Sequence, residues 1–254
     1  MATVLNPNNQ SQNRAWQAHI CEQIRPHLPE FNKPQECLDF LCGDGSLTIE
    51  LFDELPKGSR LIGLDDNRES LSKFHGKIFN QKNDIFLRKQ SLNHHPFGAS
   101  VFDLVWGIWS LHHPGNLTRI LRTLYPILKP GGTLICATPL HGSFSELYRF
   151  IQEKQNPEQE SFIFAARNEF PSIASCEKAV QESGLTFQKA TEASFSFQTE
   201  LQNLQQSFLV ESLYGLWAGT ASTIANVLEE SVEASEQSQL EVSIQFGVFC
   251  ATKS

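Results

Sequence analysis

The sequence predicts an α/β fold, a mostly parallel sheet covered by helices. Short apolar runs of strand length alternate with segments of helical periodicity, and a glycine turn joins the first run to the first helix. At 254 residues with 40% hydrophobic content, the chain can bury a sizeable core as one domain with insertions.

Each element has its own signature. The first strand is expected at 37–40, followed by a glycine-bearing turn and a helix over 46–55. A second strand at 60–64 precedes a helix over 68–79, in which Leu71, Phe74 and Ile78 recur at helical spacing. Strands follow at 85–88 and 102–106. A helix over 116–128 carries Leu117, Ile120, Leu121, Leu124 and Leu128 on one face, and Pro130-Gly131-Gly132 reads as a turn before a strand at 133–137. After Pro139 come helices over 144–152 and 173–183, the second closed by Gly184, then alternating Phe187, Phe195 and Phe197. Apolar spacing at 214–217 and 224–228 suggests a helical insertion over 198–238, and 242–251 has the density of a last buried strand. Residues 1–13, polar and rich in Asn and Gln, are expected to be disordered, which leaves 14–254 as the folded domain.

Composition narrows the partners. A formal net charge of -8 argues against a broad phosphate-tracking surface, so nucleic acid is not expected. Cys21, Cys37, Cys42, Cys136, Cys176 and Cys250 show no C-x-x-C spacing, and most sit in apolar runs, as reduced thiols of a cytoplasmic protein do. The start of the chain lacks the basic-then-apolar order of a secretory signal, and no apolar run approaches the roughly 20 residues that span a bilayer, so no membrane association is expected. His94-His95 has no further ligands at metal spacing, and no metal is expected.

The chemistry is concentrated in Leu38-Asp39-Phe40-Leu41-Cys42-Gly43-Asp44-Gly45, a strand running through a glycine turn into a helix. Glycine is needed where the backbone approaches a ligand with no Cβ in the way, and a helix N-terminus offers free N–H donors. Asp65 follows Gly45 by 20 residues, at the end of the second strand, where a carboxylate can accept from both hydroxyls of a ribose. A dinucleotide fold has the same acid spacing, but Gly43-x-Gly45-x-x-Thr48 lacks the third small residue of its fingerprint.

Further segments follow in a familiar order: Ile62-Gly63-Leu64-Asp65, Pro96-Phe97, Phe102-Asp103-Leu104-Val105, Leu111-His112-His113 and Leu128-Lys129-Pro130-Gly131-Gly132. Over 37–139 the chain resembles the class I S-adenosylmethionine-dependent methyltransferases often called type 11. The resemblance implies a Rossmann-like, seven-stranded, mostly parallel sheet with helices on both faces and a helical cap insertion, with S-adenosylmethionine as cofactor. By it Asp39, Gly43 and Gly45 line the methionine end of the cofactor, Asp65 holds the ribose, and Ser91 and Leu92 flank the adenine. Leu41, Cys42, Asp66 and Trp106 are counted with them as cofactor-binding. The chain departs from the family at Leu41, where a glycine is usual, and at Ser91, where an aspartate is common. Within the family, Gly115-Asn116-Leu117, Leu121-Arg122-x-Leu124-Tyr125, Thr138 and Gly142-Ser143-x-x-Glu146-Leu147 are similar to the malonyl-acyl carrier protein O-methyltransferases of biotin synthesis.

A sulfonium cofactor already makes its methyl group electrophilic, so the protein mainly has to hold a nucleophile in line. A carboxylate acceptor would need no general base. His112 and Trp109, just after the fourth strand on the ligand-binding edge of such sheets, are the candidate catalytic residues. Either Trp106 or Trp109 could pack on the cationic cofactor while the other fills the core. The expected acceptor is a small molecule or an acid carried on acyl carrier protein, with Arg14, Arg25, Arg119, Arg122, Arg149 and Arg167 available to an acidic carrier. A lipid-like acceptor in an apolar pocket and a catalytically weak binding protein are the alternatives.

Overall fold

The computed structural model describes residues 7–79, 84–91, 96–109, 117–154, 170–200 and 239–254. In chain order the elements are α1 (Pro7–Ile24), a 3-10 turn (Arg25–His27), β1 (Glu36–Phe40), α2 (Ser46–Phe52), β2 (Arg60–Asp65), α3 (Arg68–Ile78) and β3 (Ile85–Lys89). They continue with β4 (Phe102–Ile108), α4 (Leu117–Leu124), β5 (Leu128–Pro139), α5 (Ser145–Lys154), α6 (Ile173–Glu182), β6 (Thr186–Glu200) and β7 (Gln239–Thr252).

The seven strands form one sheet in the order β3-β2-β1-β4-β5-β7-β6. β1 pairs in parallel with β2 and β4, β2 with β3, and β4 with β5. Bonds between β5 and β7 descend along one strand as they ascend along the other, from Gly131 with Lys253 to Leu140 with Gln245, so β7 runs antiparallel. The Rossmann-like, mostly parallel sheet expected from the sequence is therefore present. Its order reverses between β1 and β4, and such sheets bind ligands at this reversal, beyond the carboxyl ends of the strands.

Residues divide into two compact units. The larger comprises 19–138, 172–192 and 247–254. Its core gathers Leu38, Phe40, Val105, Leu121, Leu134, Val180 and Phe249, all essentially without solvent contact. Each such side chain contributes about 1.5–3 kcal/mol by burial. α3 turns Leu71, Phe74 and Ile78 inward against β2 and β3, and Asn67 caps it by accepting from the Glu69 and Ser70 N–H groups. The smaller unit comprises 1–18, 139–171 and 193–246. There the buried Trp16 ring lies 5.2 Å from Phe195 and 5.3 Å from Phe246, and Glu146 accepts from the backbone and hydroxyl of Ser243.

Four expectations change. α1 begins at Pro7, inside the 1–13 stretch expected to be disordered, because Pro is favoured at a helix start and a polar segment can still be helical. α2 stops at Phe52 rather than 55, since Pro56 disfavours helical backbone at Leu55. α4 ends at Leu124, and Leu128 already belongs to β5. Pro130-Gly131-Gly132 is not a turn between elements but an irregularity within β5, where the register with β4 shifts and the Gly131 N–H donates to Lys253 O. The cap insertion expected over 198–238 falls, beyond Glu200, outside the described residues.

The cysteines are free, and burial pushes the Cys21 and Cys176 thiols up to about 12, which keeps them inert. Among the described residues no helix is long and apolar enough to cross a membrane, and no cluster of His, Cys, Asp or Glu could hold a metal.

Candidate functional site

At the end of β1 the chain turns through three left-handed residues, Leu41 at φ 56°, Gly43 at 56° and Gly45 at 71°. The turn is strapped to the end of β2: the Cys42 N–H donates to Leu64 O at 3.1 Å and the Gly43 N–H to Asp65 Oδ2 at 2.8 Å. Asp65 Oδ1 accepts from the Asn67 N–H at 2.8 Å. Each carboxylate oxygen thus takes one backbone donor and keeps a second lone pair, in a side chain only 7% exposed.

The two glycines serve different ends. A Cβ added at Gly43 would meet nothing within 4 Å, so the backbone there is bare toward open space. At Gly45 it would lie 2.2 Å from the Phe74 ring, so that glycine lets α2 start against α3. Leu41 packs its side chain against the hydrophobic core of the larger unit. Its burial offsets the left-handed backbone, which costs about 1–2 kcal/mol for a residue with a Cβ.

The Asp39 carboxyl, at the end of β1, is displaced far from its ordinary range. Burial in the sheet, with Asp65 adding repulsion, pushes its carboxyl up to about 7 against the opposing pull of the Thr48 hydroxyl and the Trp106 indole. Thr48 Oγ1 donates to Asp39 Oδ2. Asp44, beside them in the turn, sits below the ordinary carboxylate range: burial alone would raise it, but Lys77 at 2.6 Å and the Ser46 N–H outweigh burial. Lys77 thereby ties the turn to α3.

Asp39, Leu41, Cys42, Gly43, Gly45, Asp65 and Trp106 therefore meet at one place, the reversal of strand order. Ser91 is half-buried and follows Gln90, whose N–H donates to the Asp65 carbonyl at 2.8 Å. Asp66 is exposed. Trp106 is fully buried in β4, whereas Trp109 is half-buried, left-handed at φ 61°, with its N–H on Ala137 O. Leu92 and His112 lie outside the described residues. Sequence reasoning missed Thr48 and Lys77. Thr48, three residues past Gly45 in the first helical turn, could have been read as a donor to the preceding strand end; Lys77 had no local signal.

Residues 38–136 match the family model described as a methyltransferase domain. A demethylmenaquinone methyltransferase of Lactiplantibacillus plantarum is 33% identical over 125 residues, covering 48% of this chain and 51% of that protein. One from Listeria monocytogenes is 23% identical over 174 residues, 63% of this chain and 73% of the relative. This chain spans about half the length of the first of these curated relatives. These relatives are demethylmenaquinone methyltransferases, not the malonyl-acyl carrier protein O-methyltransferases expected from the segments after Gly115. Among solved structures, the YcgJ protein of Bacillus subtilis superimposes with a TM-score of 0.62 at 12% identity, over 93% of this chain and 97% of that one. Geranyl diphosphate C-methyltransferase of Streptomyces coelicolor, in complex with Mg2+, geranyl diphosphate and S-adenosyl-L-homocysteine, gives 0.57 at 16% identity, over 93% and 77%. At such identities the likeness is one of fold.

Proposed function

We propose that this methyltransferase domain binds S-adenosylmethionine at the 41–45 turn and transfers its methyl group to a small, lipid-like acceptor. The observation that carries the reading is the bare backbone at Gly43 beside the half-used carboxylate of Asp65. That pairing fits an amino-acid-bearing nucleoside: the acid accepts from ribose hydroxyls, and the missing Cβ lets the ligand approach the turn. The cofactor supplies an electrophilic methyl group, and the residues around the turn need only hold and orient it.

The acceptor class rests on the relatives. Their names give demethylmenaquinone, and the Streptomyces neighbour's name gives geranyl diphosphate. The narrower reading, O-methylation of malonyl-acyl carrier protein in biotin synthesis, rests on segments that now have a structural account. Ser143 and Glu146 are spent on Gln245 and Ser243 of β7. Of the arginines available to an acidic carrier, Arg25 pairs with Glu50 and Glu54, and Arg122 donates to the Glu182 carbonyl. The protein is read as soluble and cytoplasmic.

Labelled S-adenosylmethionine, incubated with the protein and either demethylated quinones or acyl carrier protein thioesters, separates the acceptors. Transfer to a quinone supports the proposal, and transfer only to the malonyl thioester replaces it. Asp65→Ala should weaken S-adenosylhomocysteine binding by about 1.5–3 kcal/mol, roughly 10- to 150-fold, because charge-assisted bonds are lost. Unchanged calorimetric affinity would remove Asp65 from the site.

A further inference from the structure

Asp39 and Trp106 are register partners on β1 and β4, on either side of the reversal in strand order. They are 3% and 0% exposed. The Trp106 indole N–H has no hydrogen bond of normal geometry, a costly state for a buried donor. The acceptor it lies against is the Asp39 carboxylate, which also takes the Thr48 hydroxyl from α2. Two neutral donors from two elements therefore converge on one buried acid. The titratable groups coupled to it are Asp65 from β2 and the Cys42 thiol of the turn, and neither brings positive charge.

Such a constellation is unfinished in a specific way. A neutral carboxyl would carry its own proton among groups that already donate, whereas a carboxylate can accept from both. What the carboxylate lacks is a counter-charge, and a cation arriving beside it stabilises the ionised form.

Resting on the cofactor reading above, we propose that Trp106 is a positioning residue: with Thr48 it orients Asp39 as the carboxylate that receives the cofactor's ammonium group, so that binding releases a proton from Asp39 to solvent. Burial holds the Asp39 carboxyl near 7 in the free protein. At pH 7 about half of the molecules then carry the proton, and up to about half a proton leaves per ligand bound. Little leaves at pH 8.5, where the acid is already ionised.

The test is calorimetry of S-adenosylhomocysteine binding to the full chain at pH 7 and pH 8.5, in buffers of different ionisation enthalpy. The native protein is expected to release protons at pH 7 and few at pH 8.5. Trp106→Phe keeps an aromatic ring but removes the donor; it should move the release to higher pH and weaken binding several-fold at pH 7. Thr48→Val, which removes the other donor at nearly constant volume, should shift the profile the same way and serves if the first variant does not fold. A merely structural role for Trp106 would leave the pH of release where it was. The chain has four tryptophans, so the 15N indole resonance of Trp106 can be assigned by difference and should titrate with Asp39 in the free protein. Binding without pH-dependent proton release, or an unshifted profile in both variants, would overturn this inference and leave the cofactor reading intact. Absence of binding at every pH would overturn both.

Discussion

The turn from β1 into α2 and the turn from β5 into α5 share a backbone signature. Each places a large apolar residue in left-handed conformation, Leu41 at φ 56° and Phe144 at 62°, close to a glycine with positive φ. In both, the apolar side chain is directed into protein: Leu41 packs on the core of the larger unit and Phe144 is 1% exposed. The polar groups differ. The second turn spends its own on the same chain, since Leu140 and Phe144 donate to Gln245 and Ser243 at 2.8 and 2.7 Å and Ser143 exchanges bonds with Gln245. The first leaves Gly43 bare and Asp65 half-used. A strand-to-helix turn becomes a binding element when its donors and acceptors exceed what its neighbours consume.

The strongest way to break this comparison is through the glycines. Gly45→Ala drives a Cβ to 2.2 Å from Phe74 at a backbone of φ 71°. Overpacking and left-handed backbone together should cost about 2–5 kcal/mol of stability. Gly142→Ala brings its Cβ only to 3.6 Å from Gln245, so backbone strain alone should cost about 1–2 kcal/mol. Urea unfolding of both variants decides the matter, and equal losses would refute the distinction.

Asp39 gives a pH-dependent effect of similar size. Its native value of about 7 lies above that of the unfolded chain. The native state therefore holds a proton that the unfolded chain has released, and this contribution is complete below about pH 4. It is lost as pH rises through 7 and stays lost above. Asp39→Asn cannot ionise, so relative to the native protein it should gain on the order of a few kcal/mol between pH 4.5 and 8. A stability gap that is the same at both pH values would show that the buried acid is not perturbed.

Gly43→Ala separates binding from folding. With nothing within 4 Å of the new Cβ, stability should fall only by the backbone cost of about 1–2 kcal/mol, while S-adenosylhomocysteine affinity falls at least about tenfold. Retained affinity would mean that the open side of Gly43 does not face the ligand. Leu41→Gly should have the smallest effect, because lost burial and relieved strain nearly cancel: about 1 kcal/mol in stability and less than about tenfold in affinity. A large gain in affinity on titration would instead mark Leu41 as an obstruction.

The sequence by itself determined the sheet and the place of the site. Apolar runs of strand length, helical spacing at Leu71, Phe74 and Ile78, and the glycine turn followed by Asp65 are local patterns, imposed by backbone sterics and by burial on one face. Where long-range pairing competes with local propensity, the same reading failed: Pro130-Gly131-Gly132 looks like a turn but is held inside β5 by bonds to Lys253 at the far end of the chain. Only the tertiary structure could divide the labour between Gly43 and Gly45, because the difference is the presence of Phe74 from another helix. It also decided that Leu41 turns inward, that Lys77 holds Asp44 across 33 residues, and that Trp106 and Thr48 converge on Asp39. Hydrogen bonds and charges act over a few ångströms in space whatever the separation along the chain, so their partners are fixed only when the strands have been set side by side.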